Sequence, residues 1–206
     1  MKLYDFARAP NPRRVRWVMA EKGIDDVEIV PTNIVAGEHK TPAYRDKVGL
    51  PHVPALELES GETVGESLAI CRLLESAYPE PNLFGRDPVE TALIEMWTRR
   101  VELYLANPLM IFTRLSHPAL AAMEPPNPAV ADYNRAGAER MAKQMNRRLA
   151  GREFIAADRL TMADIVAVTG LDFARLVKWR PDESLTDLNR WHAAMRERPA
   201  AQAGLT

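Results

Sequence analysis

Ala7-Arg8-Ala9-Pro10-Asn11-Pro12 follows directly on the short apolar run KLYDF and opens a helical pattern. A helix that starts at a strand end points backbone N–H groups and the positive end of its dipole outward, so this turn suits an anion. A thiolate is one such anion, because a helix N-terminus lowers a thiol pKa. Asn11 suits the N-cap, and Pro12 suits the first helical position, where a missing N–H costs nothing. No cysteine, serine, threonine or tyrosine stands in the turn. Stabilisation of an anion there falls to the Asn11 amide or to the backbone.

Three further places carry chemistry or its scaffolding. In LPHVPAL, Val53-Pro54 leaves a loop and enters a strand, where proline is tolerated at the first residue. A cis bond there would turn the Val53 backbone outward toward a peptide-like ligand. In GESLAI, Glu66 and Ser67 lie at a strand-to-helix junction with Ser67 as the natural N-cap. A carboxylate and a hydroxyl beside helix N–H groups suit a zwitterion: Glu66 takes the ammonium, and Ser67 with the N–H groups takes the carboxylate. Thr161-Met162-Ala163-Asp164 matches a capping box with Asp in place of Glu, and Leu160 and Ile165 suit a staple across it. That motif reads as structural.

Alternating elements position these groups. The first half reads β-α-β-α-β-β-α: KLYDF, a helix through Val15, Val18 and Met19 ending at Gly23, VEIVPTNI, a polar segment GEHKTPAYRDKV, two strands joined at SGE, and the amphipathic SLAICRLLESAY. PEPNLFGRDP, with three prolines and a glycine, reads as a linker. Beyond it four helical patterns follow, of which TMADIVAVTGLDFARLV is apolar on most faces and reads as central. The expected organisation is an α/β domain over 1–79, a linker over 80–88 and an all-α domain over 89–206.

Composition narrows the class. The 206 residues are 47% hydrophobic with net charge −1, which gives no strong pull toward nucleic acid or an anionic membrane. Arg13, Arg14 and Arg16 cluster on the first helix and read as a solvated face. The single cysteine, Cys71, excludes an intrachain disulfide framework and a cysteine-based metal cluster, and fits a reducing cytosol. No basic-then-apolar leader opens the sequence, and no apolar stretch reaches the ~18 residues that span a bilayer. These features predict a cytoplasmic protein with no membrane or nucleic-acid partner.

The turn, HVPAL, GES and TMADI, in this order and spacing, resemble the glutathione transferase superfamily over nearly the whole chain. The resemblance implies a thioredoxin-like α/β N-terminal domain, an all-α C-terminal domain, cis Val53-Pro54, glutathione as co-substrate, no metal, and a homodimer. Carried onto this sequence, Val53 and Pro54 would receive the cysteinyl part of glutathione, and Glu66 and Ser67 its γ-glutamyl end. His39, Lys40 and His52 would lie near the remainder of the ligand. The function implied is conjugation of the glutathione thiolate to small electrophiles, a detoxifying reaction.

The turn departs from the common classes, which present tyrosine, serine or cysteine to the sulfur. Tyr4 stands one residue before the family tyrosine, and one residue flips the face of a strand. Three replacements stay open: the Asn11 amide, as in bacterial classes with asparagine at this turn; the bare helix start; or Ser116 and His117, as in an atypical yeast-like branch. The acceptor is expected near Met110, Thr113, Arg114 and Trp179. Alternatives on the same scaffold are a non-catalytic glutathione- or partner-binding protein and a glutathione-dependent isomerase or dehalogenase.

Overall fold

The computed structural model describes residues 1–203. Packing divides the chain into two units. Met1–Pro81 and the described residues from Pro199 onward form the first, and Asn82–Arg198 forms the second. The segment from Pro199, expected in the helical domain, groups with the first unit. Its Ala201 is fully buried, and its carbonyl accepts from the buried Arg13 guanidinium (2.9 Å).

The first unit runs β1 (Lys2–Asp5), α1 (Pro10–Lys22), β2 (Glu28–Pro31), a 3-10 turn (Glu38–Lys40), α2 (Pro42–Val48), β3 (Ala55–Glu57), β4 (Thr63–Val64) and α3 (Ser67–Ala77). The strands are shorter than the apolar runs that announce them. Proline ends β2 and stands before β3, where its missing N–H cannot join a ladder. The sheet order is β2-β1-β3-β4, with β1 parallel to β2 and antiparallel to β3, and β3 antiparallel to β4. Tyr4 pairs with Ala55, and Leu56 with Val64. Continuing those registers, the exits of β1, β2 and β4 and the entry to β3 share one end of the sheet. The Ala9–Pro12 turn, the 32–41 loop, Val53-Pro54 and Glu66-Ser67 therefore gather at that end, outside the carboxyl ends of the parallel strands.

The arginines of α1 are not a solvated face. Arg13, Arg14 and Arg16 are 5%, 1% and 8% exposed. Arg16 pairs with the buried Asp5 of β1 and donates to the Ala7 carbonyl (2.7 Å). Arg14 reaches Ser67 at the start of α3, and Arg13 lies over the Trp17 ring. Each buried cation thus ties α1 to another part of the unit, which is how charges come to be tolerated inside. Gly23 ends α1 at φ 63, a left-handed position that glycine occupies without steric cost.

The second unit contains α4 (Pro88–Val101), a π-helical turn (Glu102–Ala106), α5 (Asn107–Ser116), α6 (Pro128–Arg148), α7 (Met162–Ala174) and α8 (Thr186–Arg196). The sequence pattern over 89–112 reads as one helix, and Pro108 explains its interruption. Proline cannot donate to Tyr104, and its ring collides with that carbonyl, so the helix widens just ahead of it. The Asn107 N–H reaches back five residues to the Glu102 carbonyl. Gly170 of α7 packs on this turn, and a Cβ added there would lie 2.6 Å from Ala106 Cα.

The central α7 has 11 of its 13 residues buried, and it opens with the expected capping box. Asp164, fully buried, accepts from the Thr161 N–H (2.9 Å), the Thr161 hydroxyl (2.8 Å), the Ile155 N–H (2.9 Å) and Trp191 Nε1 (3.3 Å). Burial pushes its pKa up to about 6 against those four donors. The segment expected as a linker is knitted into this unit from Asn82 onward. Arg159 grips Asn82 Oδ1 (2.7 Å) and Glu90 Oε2 (2.8 Å), and the Met162 N–H donates to the Leu83 carbonyl (3.0 Å).

Candidate functional site

Asn11 is not the N-cap of α1. Ala9 is, in extended conformation, and Pro10 takes the first helical position. Proline drives the residue before it out of the helical region, which fixes the boundary one step earlier than Asn11 would. The consequence is a sparse helix start. Pro10 and Pro12 have no N–H, and the N–H of Ala9 donates to Phe6 (2.9 Å) and that of Arg13 to Ala9 (3.3 Å). Among the described residues, Asn11 alone brings an uncommitted backbone N–H to this end. Its side-chain Oδ1 is buried without a hydrogen-bond partner. A half-turn of the amide exchanges that oxygen for Nδ2, a donor.

Val53-Pro54 is cis. Val53 lies before the first paired residue of β3, is half-buried, and its N–H and C=O have no backbone partner among the described residues. It presents the pairing edge that a peptide-like ligand needs.

At α3 the N-cap is Glu66 rather than Ser67. Glu66 turns the chain from β4 into the helix at φ 60, a left-handed conformation unusual for a residue with a side chain. Ser67, the first helical residue, is buried, and its hydroxyl accepts from Arg14 (3.3 Å). As at any helix start, the N–H groups of Ser67, Leu68 and Ala69 lack intrahelical partners, and the Ile70 N–H closes the first turn on Glu66 (3.0 Å). An exposed carboxylate, a buried hydroxyl and three outward N–H groups meet at one corner.

His39 is 7% exposed, and its Nδ1 has no hydrogen-bond partner. Burial first, then the neighbouring Lys40, His52 and Arg45, push its pKa down. The imidazole is thus neutral among basic groups. Arg45, one turn into α2, is a member of this cluster that sequence reading missed; its signal was a third basic residue in the polar segment that supplied His39 and Lys40. Sequence reading also passed over Tyr44, whose hydroxyl donates to the His52 carbonyl (2.7 Å).

Tyr4 is committed elsewhere. Its hydroxyl donates to Glu57 (2.5 Å) and accepts from Lys47 (3.0 Å). Cys71 is fully buried with its thiol pushed up to about 12 by burial, which makes it inert as a nucleophile. A groove of about 650 Å³ runs beside β1 and β2, bounded by Phe6, Ala7, Arg8, Ile29, Pro31 and Val35. It adjoins the β1–α1 turn, but Asn11, Val53, Glu66 and Ser67 stand outside its lining.

The remaining expected site residues belong to the second unit. Ser116, exposed, ends α5. His117 follows, and its Nδ1 accepts the Ala119 N–H (3.2 Å), which leaves Nε2 as the N–H donor of the neutral ring. Met110 and Thr113 are buried, and the Thr113 hydroxyl has no partner. Arg114 pairs with Glu124 (2.7 Å), and Trp179 is half-buried. Among the described residues, no three His, Cys, Asp or Glu side chains are placed to hold a metal, and no helix is long and apolar enough to cross a membrane.

A small mixed sheet with a cis-proline edge, two helix starts without side-chain caps at one end of it, and a separate helical unit define a recognisable class. Residues 3–82 match the glutathione S-transferase N-terminal domain, and residues 110–199 match the glutathione S-transferase C-terminal domain. Glutathione S-transferase 2 of Saccharomyces cerevisiae is 32% identical over 213 residues, covering 98% of this chain and 88% of that protein. The structure of a glutathione S-transferase domain-containing protein from Marinobacter aquaeolei superposes with a TM-score of 0.93 at 35% identity, covering 98% of this chain and all of that one. A maleylacetoacetate isomerase of Pseudomonas aeruginosa is 40% identical over 94 residues, 45% of this chain and 44% of that enzyme. The chain belongs to the glutathione S-transferase family and is an enzyme of the glutathione transferase type.

Proposed function

We propose that glutathione binds at the shared sheet end of the first unit and that its thiolate attacks a small electrophile. In this reading the Val53 backbone pairs with the cysteinyl part. Ser67 and the α3 N–H groups take the γ-glutamyl carboxylate, and Glu66 takes the ammonium. His39, Lys40, His52 and Arg45 face the glycine carboxylate. The sulfur lies at the start of α1. In the reaction the sulfur lone pair forms an S–C bond, and the electron pair displaced from carbon leaves with a leaving group or moves onto a conjugated acceptor.

The observation that carries this reading is the half-buried Asn11 at that helix start, whose side-chain Oδ1 is buried without a hydrogen-bond partner. A free thiol has a pKa of about 8.5, and roughly two units of lowering, about 2.7 kcal/mol, would make thiolate dominant at neutral pH. A helix end contributes up to ~2 kcal/mol and a charged hydrogen bond ~1.5–3. With two prolines removing backbone donors, the Asn11 side chain becomes the natural second donor. Ser116 and His117 are the alternative source of that bond. The acceptor pocket is proposed to include Met110, Thr113, Arg114 and Trp179.

The test is calorimetric binding of glutathione, followed by ultraviolet titration of the bound thiol and a screen of electrophile classes. A bound thiol that titrates near the free value of about 8.5 would reduce the protein to a glutathione binder. The similarity to the Pseudomonas aeruginosa isomerase favours a second reading, a glutathione-dependent isomerase. Glutathione is consumed in conjugation and regenerated in isomerisation, so its stoichiometric loss separates the two.

A homodimer and a reducing, cytoplasmic setting belong to the same reading. Val89, Leu93 and Tyr104 are 70%, 47% and 59% exposed on α4 and the π turn, and apolar side chains so exposed suit a partner surface. Leu93→Glu should convert a dimer to a monomer in light scattering; a monomeric unsubstituted protein would remove the dimer from the reading.

A further inference from the structure

We propose that Tyr44 is a positioning residue for glutathione: by holding the carbonyl of His52 it aims the Val53 N–H of the same peptide unit at the ligand. The inference rests on the reading of Val53 given above and assigns a role to a residue outside the ligand's reach.

A peptide unit is planar, and in the trans form its C=O and N–H point in opposite directions. His52–Val53 is trans, since the cis bonds of the described chain are Val53-Pro54 and Glu80-Pro81. The Tyr44 hydroxyl donates to the His52 oxygen at 2.7 Å. Fixing that oxygen fixes the direction of the Val53 N–H on the far side of the plane. That N–H has no backbone partner of its own. Without the tyrosine, the only other backbone tie on this stretch among the described residues is the His52 N–H to Leu50 (2.8 Å), which belongs to the preceding peptide.

Tyr44 is well placed for this task because it cannot move easily. Its ring is 8% exposed and meets the Tyr4 ring edge-on, with centroids 5.8 Å apart at 85°. Thr41 caps its backbone N–H (3.3 Å). One turn further along α2, Lys47 reaches Glu57 (2.8 Å) and the Tyr4 hydroxyl (3.0 Å), which moors the helix to β1 and β3. Burial pushes the Tyr44 hydroxyl up to about 12, so it remains a proton donor throughout the range in which the enzyme can be assayed. Donation to a carbonyl also polarises the peptide and strengthens its N–H as a donor.

Tyr44→Phe keeps the ring and removes only the hydroxyl. The expected result is a rise in the glutathione KM and Kd of roughly three- to tenfold, the size of one neutral hydrogen bond. The kcat at saturating glutathione should stay close to that of the unsubstituted protein, and the melting temperature should fall by no more than roughly 2–5 °C, the loss of one neutral hydrogen bond. A γ-glutamyl alkylamide, which carries the Glu66–Ser67 recognition groups and lacks the cysteinyl carbonyl that would accept from the Val53 N–H, provides the control. NMR titration should give it the same Kd on both proteins. Equal weakening of glutathione and fragment, or weakening of neither, would overturn the positioning role. If the unsubstituted protein binds neither compound, the binding-site reading itself fails, and the role of Tyr44 falls with it.

Discussion

Arg14 donates to the hydroxyl oxygen of Ser67 at 3.3 Å, from a guanidinium that is 1% exposed. A guanidinium only donates. The bond therefore occupies a lone pair of Ser67 and leaves the serine's own hydrogen available for a further bond at the start of α3. A buried positive charge stands behind that hydrogen, which favours an anionic ligand.

Ser67→Ala removes this donor and leaves one Arg14 N–H without its acceptor. The expected effect is about a five- to tenfold weaker binding of glutathione, with a stability loss of roughly 1–3 kcal/mol from the stranded buried donor. Calorimetry measures the first and thermal unfolding the second. Undiminished binding would show that the α3 backbone alone takes the carboxylate.

Asn11→Ala is a cleaner experiment than its place in the sequence suggests. Because Ala9 rather than Asn11 caps α1, no cap is lost. The substitution also deletes a buried acceptor that has no partner. Stability should hold or rise slightly, while turnover falls about tenfold and the bound thiol pKa rises by about one unit, at 1.36 kcal/mol per unit. An unchanged thiol pKa would pass the role to the backbone at the start of α1.

The order of elements was legible because the apolar period changes from two to 3.6 and back along the first half. Gly23 and the Thr161–Asp164 box were equally legible, since their signals are local. Helix starts were misjudged by a residue or two wherever two capping candidates competed: Pro10 overrode Asn11, and the left-handed Glu66 displaced Ser67. Long-range pairing was not legible at all. Arg14 meets a serine 53 residues away and Arg13 a carbonyl 188 away, so a run of arginines that reads as solvated is buried. Tyr44 escaped notice for the same reason, its partner being a backbone atom rather than a motif.

Asp164 holds the second unit together at one point. It is a buried acceptor for donors from Thr161, Ile155 and Trp191, which lie in the α7 start, the preceding loop and α8. Asp164→Asn keeps the volume but turns an amide NH₂ toward groups that themselves donate. Stranding two or more of them should cost about 3 kcal/mol or more. For a chain of this length that is a fall in Tm of roughly 6–12 °C. Differential scanning calorimetry tests it, and an unchanged Tm would show that the donors find other acceptors.

Glu90 gives the structure a pH dependence of defined sign. The Arg159 guanidinium, and then the Arg86 N–H (2.7 Å), hold its carboxyl down to about 2 from the usual 4.5. A carboxylate depressed in the folded state contributes stability that is fully present above the unfolded value and is lost as pH falls through the folded one. Its contribution should therefore be constant above about pH 5 and decline progressively between about pH 4.5 and 2. Glu90→Gln should lower stability by roughly 1 kcal/mol at neutral pH, a modest figure because both partners keep some solvent contact. The difference in Tm between the two proteins should narrow as pH drops from 5 to 3. A gap that stays constant across that range would mean the pair acts through packing rather than charge.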